Sequence, residues 1–303
     1  MRDASAKKRL SQKKKDGYIW FVIFTLPTVG GLLIFYIIPF FQTLLNSFKT
    51  IGDFGQANWS GLENYRRLFS DPIMGQTLVN TLIYAVVVVP VGICFSTLLA
   101  VLLNTKIKGR SVYRTLFFLP SVTMPAAIAM VWKWLYNSDY GLINYLLGLL
   151  GAKGPQWLAD PHSALASVII VAVWASIGNN MIILLAGLQG IPASYYEAAE
   201  TDGANAVCKF FRITVPLLTP TLFFVLVTSL ISAFQAFDLI FMMIPNSSAA
   251  LPSAETVVYY FYQNAFITSD KGYASAIAIV LFAIIMVITA VQMKLQDKWV
   301  NYD

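Results

Sequence analysis

Apolar residues run through this chain in long blocks rather than in the short alternations of a soluble fold. Six such blocks stand out, at about 18–46, 76–104, 113–136, 162–188, 215–244 and 274–293. Each reaches the ~20 residues that a helix needs to cross the ~30 Å hydrocarbon layer of a bilayer. Within hydrocarbon every backbone donor and acceptor must be satisfied internally, so the pattern predicts an all-α membrane protein with six transmembrane helices. Prolines at 27, 39, 90, 120, 125 and 220 fall inside these blocks. Each removes a backbone donor and kinks its helix, which suits a bundle enclosing a cavity as well as one that is merely closely packed.

Composition supports this reading and narrows it. Of 303 residues, 57% are hydrophobic and 12% charged, with a mean hydropathy of +0.66, which leaves no room for a large extramembrane catalytic domain. Charge then sets the orientation. With the N-terminus cytoplasmic, fifteen of the 21 Lys and Arg lie on the cytoplasmic side, seven of them within the first fifteen residues. The basic tail 1–17 therefore reads as an orientation signal beside anionic lipid rather than a nucleic-acid site, and the tail 294–303 is cytoplasmic as well. The apolar run after Gly17 is too long for the core of a cleavable signal peptide. Aromatic residues at the ends of the blocks, among them Trp20, Trp132, Trp134 and Trp299, are expected as interfacial anchors.

Enzyme chemistry finds no purchase. A single histidine, His162, cannot build a His-based metal cluster or a Ser/His pair. Cys94 and Cys208 suggest neither a disulfide framework nor a metal pair. No phosphate-binding Gly-x4-Gly-Lys-Ser/Thr loop occurs, so nucleotide used in transport is held by another polypeptide. No catalytic, cofactor or metal site is expected in this chain.

The informative polar segment is the cytoplasmic loop at about 190–214. Pro192 suits a first helical turn, Glu197 to Asp202 favour helix, and Gly203 is a natural break before a second helix running into the fifth span. Glu197 and Glu200 share a face beside the small Ala198 and Ala199 and the aromatic Tyr195 and Tyr196. Such a helix fits a groove on another protein. An amphipathic connector on the membrane surface, using Lys209, Phe210, Phe211 and Arg212, is the other reading.

Glu197-Ala198-Ala199, then Gly203, Ile213 and Val215-Pro216, resembles the Glu-Ala-Ala loop of permease subunits of bacterial ATP-binding-cassette importers. The family usually has Leu where this chain has Val215. Gly109-Arg110, Arg114 to Pro120, Trp132-Lys-Trp134, Gly141 to Asn144, Ala186 to Pro192 and Gly272 to Ala276 are similar to the maltose-type carbohydrate-uptake permeases, in particular to the six-span first subunit. After the fifth span the chain departs from the family's Thr-Gly-Gly-Pro stretch, reading Met243 to Pro252. The resemblance implies a type I importer permease fold in the bacterial cell membrane and a heterodimer with a second, homologous permease. It further implies two cytoplasmic ATPase subunits that bind ATP and Mg, an extracytoplasmic solute-binding protein, and a sugar or oligosaccharide as cargo. Glu197, Ala198, Ala199, Asp202, Gly203, Ile213 and Pro216 would form the loop that couples ATPase closure to alternating access.

Polar residues inside the blocks are candidates for the translocation path. Asp238 is the single acid within a predicted span; Gln235 is three residues before it and Phe234 four, placing all three on or beside one helical face. Carboxylate and amide groups hydrogen-bond sugar hydroxyls, and an aromatic ring covers an apolar sugar face. An interhelical polar contact, or a role at the outer interface, is the structural reading of Asp238 and the favoured one. Trp174, Asn179 and Asn180 in the fourth span are further candidates, since adjacent asparagines cannot both face lipid without cost. An importer for a glycerol-phosphate-like polyol phosphate is the alternative within the family, and an ion-coupled secondary transporter the alternative outside it.

Overall fold

The structure is a computed structural model. It describes residues 17–300 apart from Ile19, 53–55 and Lys106; the basic segment 1–16 and the end of the tail, 301–303, lie outside the described residues.

Helix α1 (Trp20–Asn46) is apolar along its length, and none of its residues is buried within the chain. It touches the rest of the molecule near its end, where Phe40 packs edge-on to Phe282 at 5.1 Å. A hairpin follows, β1 (Lys49–Ile51) antiparallel to β2 (Ala57–Trp59) with Lys49 opposite Trp59. Then come α2 (Glu63–Ser70), the long α3 (Pro72–Asn104), and the pair α4 (Arg110–Val122) and α5 (Pro125–Leu135). The chain continues through α6 (Leu142–Leu149), α7 (Ala164–Gln189), α8 (Ala193–Thr201) and α9 (Ala206–Phe234). Short helices α10 (Asp238–Met243), α11 (Leu251–Ala254) and α12 (Val257–Tyr262) precede the last long helix, α13 (Lys271–Gln296). The end of the bundle that carries α8 is termed inner and the opposite end outer.

Among the described residues five helices are long and apolar enough to span a bilayer, or six if α4 and α5, bent by 99° to one another, are counted as one span. The block at 113–136 is therefore not one straight helix. Its break has a local cause: Pro125 forces the residue before it away from helical ψ, and Met124 sits at φ −55°, ψ 133°. Pro120, by contrast, stays inside α4. The block at 215–244 also differs from expectation. The helix starts earlier, at Ala206, and ends at Phe234, with Gln235 to Phe237 forming a break before α10.

Proline also explains two π-helical turns. In α1 the Ile38 amide reaches back five residues to the Leu33 carbonyl just before Pro39. In α9 the Val215 amide does the same to Phe210 just before Pro216. A pyrrolidine ring cannot approach the carbonyl four residues back, and opening the preceding turn relieves that crowding.

Lipid tails are as apolar as leucine, so close packing and polar contacts rather than water exclusion hold such helices together. The crossing of α7 on α4 shows how close: a β-carbon at Gly178 would collide with the Phe117 carbonyl and with Ser121 Oγ. Between α3 and α7, Ser96 Oγ lies 2.6 Å from the Gly92 carbonyl and 3.2 Å from that of Ile177. One apolar core, around Val168, Val171, Tyr259, Tyr273 and Ile277, fills the outer half; a second, around Ala100, Met181, Leu184 and Leu218, fills the inner half.

Candidate functional site

Two adjoining cavities, of about 550 and 280 Å³, open between α3, α4, α7, α9 and the break before α10. Their shared wall includes Tyr84, Ser121, Pro125, Ala175, Ser232 and Leu239. The helix defects supply the polar lining. The bend between α4 and α5 brings Ser121 and Thr123 inward, and the break after Phe234 brings Gln235 and Asp238. From α7 come Ser176, Asn179 and Asn180, and from α9 Thr228, Ser229 and Ser232. Most hydroxyls already donate to backbone carbonyls, as Ser176 does to Val173 at 2.9 Å and Thr228 to Phe224 at 2.9 Å. Their oxygens remain acceptors for a ligand's hydroxyl groups. Asn180 Nδ2 donates to Ser229 Oγ at 3.4 Å, tying α7 to α9 across the floor. Among the described lining residues there is no Lys, Arg or His, and Asp238 is the one carboxylate.

The positions singled out from sequence divide. Asn179, Asn180, Gln235 and Asp238 line the cavities. Gln235 and Asp238 do so from a break and a separate short helix, not from one helical face as their spacing suggested. Phe234 is buried in the apolar core at 3% exposure and is absent from the lining. Trp174 is also absent; its ring lies edge-on to Trp132 at 5.5 Å. The lining serines and threonines escaped sequence reasoning because hydroxyls on apolar helices ordinarily bond their own backbone. The bend at Pro125 was the signal that could have selected Ser121 and Thr123.

At the inner end, α8 stands out from the spans. Pro192 is its N-cap residue. Its C-terminus closes in a Schellman turn: the Ala204 amide donates to the Ala199 carbonyl at 2.9 Å and the Gly203 amide to Glu200 at 3.0 Å. Gly203 takes φ +78°, a left-handed conformation that costs an ordinary side chain about 1–2 kcal/mol. Asn205 Oδ1 then accepts the Cys208 amide at 2.8 Å and starts α9.

Two contacts fix α8 against α9. Tyr196 and Thr214 share a hydrogen bond of 3.1 Å, and Lys209 Nζ donates to Glu200 Oε1 at 2.8 Å. That bond holds the Glu200 carboxyl below the usual range. Glu200 is thus engaged inside the chain, whereas Glu197, Ala198 and Asp202 lie exposed and Ala199 is half-buried. Ile213 and Pro216 are half-buried at the root of α9.

A helical bundle with a polar, half-open cavity at one level and a projecting, internally braced helix at the inner end has the form of a membrane transport subunit. Residues 76–302 match the family of binding-protein-dependent transport system inner membrane components, and the chain belongs to that family, a multi-pass permease of the inner membrane. It is similar to the probable ABC transporter permease protein YesP of Bacillus subtilis, with 38% identity covering 99% of this chain and 97% of that one. The sn-glycerol-3-phosphate transport system permease protein UgpA of Pectobacterium atrosepticum is 34% identical over 92% of this chain and 95% of its own. The arabinooligosaccharides transport system permease protein AraP of Bacillus subtilis is 33% identical over 91% and 88% respectively. In fold, the chain is similar to a subunit in the crystal structure of a bacterial ABC transporter that imports alginate: TM-score 0.85, 22% identity, covering 97% of this chain and 100% of that one.

Proposed function

We propose that this chain is one of two permease subunits of an ATP-driven sugar or oligosaccharide importer. A second, homologous permease completes the path, two cytoplasmic ATPase subunits hold ATP and Mg, and an external solute-binding protein delivers the cargo. Both termini of the chain face the cytoplasm, in keeping with its distribution of basic residues. The observation that carries this reading is the pairing, in one chain, of the braced helix α8 with a cavity lined by hydroxyl, amide and carboxylate groups.

Alternating access needs an element whose docking differs between two states of its partner. Helix α8 meets that need because its contacts to α9 transmit movement directly into a span that lines the cavity. Glu197 is exposed for a charged or hydrogen-bonded contact at the ATPase, Ala198 allows close approach, and Gly203 permits the turn. Pro216 and the π turn before it form the joint between the two parts.

The cavity's chemistry favours a polyhydroxyl solute, whose many donors and acceptors match neutral hydrogen-bonding groups. The polyol phosphate named for the UgpA relative calls for cationic groups, and among the described residues this half of the path offers none. ATP-dependent uptake of labelled arabinooligosaccharides and of glycerol phosphate, into vesicles carrying the complete transporter, tests the reading. Uptake of the neutral sugar that is lost in Glu197→Lys with normal membrane insertion supports it. Uptake that continues without ATPase subunits overturns it in favour of an ion-coupled transporter.

A further inference from the structure

Glu255 is a buried acid that no ion pair or hydrogen bond claims among the described residues. It sits between α11 and α12 at 5% exposure, and its Oε1 is shielded from solvent without a hydrogen-bond partner among the described residues. The backbone around it is pinned on two sides. Asn80 Nδ2, on α3, donates to the carbonyls of Pro252 at 3.0 Å and of Glu255 at 2.9 Å, and Thr81 Oγ1 accepts the Val257 amide at 3.0 Å. Thr256 Oγ1 donates to the Ala236 carbonyl at 2.7 Å. Ala236 belongs to the break that lines the outer cavity, so the segment 252–257 props one wall of the path.

The neighbouring elements bring Glu255 no cation. Helix α7 carries no ionisable side chain, and α3 carries Tyr84 and Cys94 alone. From α12 the Tyr259 phenol faces the carboxyl, and its hydroxyl is already donated to Asn246. An ionised carboxylate held there loses its hydration with nothing to replace it, whereas the neutral acid does not.

We propose that Glu255 is a proton-sensitive positioning residue for the outer end of the path: protonated, it leaves 252–257 docked on α3 and on the break before α10; ionised, it drives that segment off. The proton passes to outer water, and the new charge gains hydration only by opening the segment. Burial pushes the carboxyl up to about 7, so the change falls between mildly acidic and mildly alkaline conditions. Asp71, held below the carboxylate range, and Tyr260, raised to about 12, lie outside that window. The proposal rests on the fold and holds whichever solute is carried.

Hydrogen exchange of the backbone at 252–260 tests it, in the complete transporter in nanodiscs without added solute, at about pH 6 and about pH 8 and corrected for the intrinsic pH dependence of exchange. The wild type is expected to lose about tenfold in protection between the two, as one unit of ionisation past the midpoint implies. Glu255→Gln is expected to be equally protected at both, with Glu255→Met as a second neutral variant. Equal protection of the wild type at both values, or the same loss in either neutral variant, overturns the proposal.

Discussion

Tyr273 donates its hydroxyl to Asp71 Oδ2 at 2.6 Å, joining residues 202 positions apart. Tyr260 donates to the same oxygen at 2.6 Å. Three elements thus meet at one carboxylate: the N-cap of α3, helix α12 and the first turn of α13. Arg67 covers the joint, its guanidinium 4.0 Å from the centre of the Tyr273 ring and 2.6 Å from Asp270.

This joint makes the outer end sensitive to acid. Burial acts to raise the Asp71 carboxyl, but the hydrogen bonds from Tyr260, Tyr273 and the Ile73 amide more than offset it and hold the group below its ordinary value. A depressed acid contributes stability above its unfolded pKa and loses it as pH falls through the folded one. The contribution of this joint to thermal stability in detergent should therefore fade only in distinctly acidic buffer, and that limb should flatten in Asp71→Asn. Tyr273→Phe should cost about 1.5–3 kcal/mol, the worth of a buried hydrogen bond to a charged group.

The turn after α8 separates conformational demand from side-chain contact. Gly203→Val should abolish ATP-driven uptake, because a β-branched residue is strained at φ +78°. Gly203→Asn should retain most of it, since Asn visits the left-handed region readily. Uptake assays paired with quantified membrane insertion check this. Equal loss in both variants would point instead to a side chain occluding the contact.

The crossing of α4 and α7 leaves no room for an added side-chain atom. Gly178→Ala forces a methyl group against the Phe117 carbonyl and Ser121. The expected destabilisation is about 1–3 kcal/mol, the usual cost of overpacking. Because Ser121 also lines the cavity, transport should fall even in protein that remains folded, which unfolding curves and uptake on the same preparation will separate.

Lining and non-lining candidates should part company in kinetics. Asn179→Ala should raise the KM for solute several-fold at unchanged basal ATPase activity, removing a hydrogen-bonding group from the path. Trp174→Ala should lower thermal stability through its lost contact with Trp132 and leave the ratio of rates among solutes unchanged. A change in solute preference in Trp174→Ala would place that ring in the path after all.

Long-range neighbours could not be read from the chain. The helix–turn–helix at 190–214 is local chemistry, in which Pro192, Gly203 and Asn205 act within a few residues of themselves, and its outline was legible. Asp238 and Gln235 were legible as polar groups among apolar ones, but their relation was not. Helical spacing assumes an unbroken helix, and the break after Phe234 depends on contacts such as Thr256 with Ala236, twenty residues away. Glu255 gave no signal at all, since it lies outside every apolar block and its burial arises from α3 folding over it.

By itself the sequence determined that this protein lives in a bilayer, where its apolar blocks lie, and which loop projects from the spans. Those properties follow from residue type and from rules that act over one turn or one span. The tertiary structure decided where the third block bends, where the fifth stops, which hydroxyls reach the cavity and which acid is left enclosed without a partner among the described residues. In lipid the apolar side chains alone do not choose among helix arrangements, so these outcomes rest on close contacts and hydrogen bonds between residues far apart in the chain.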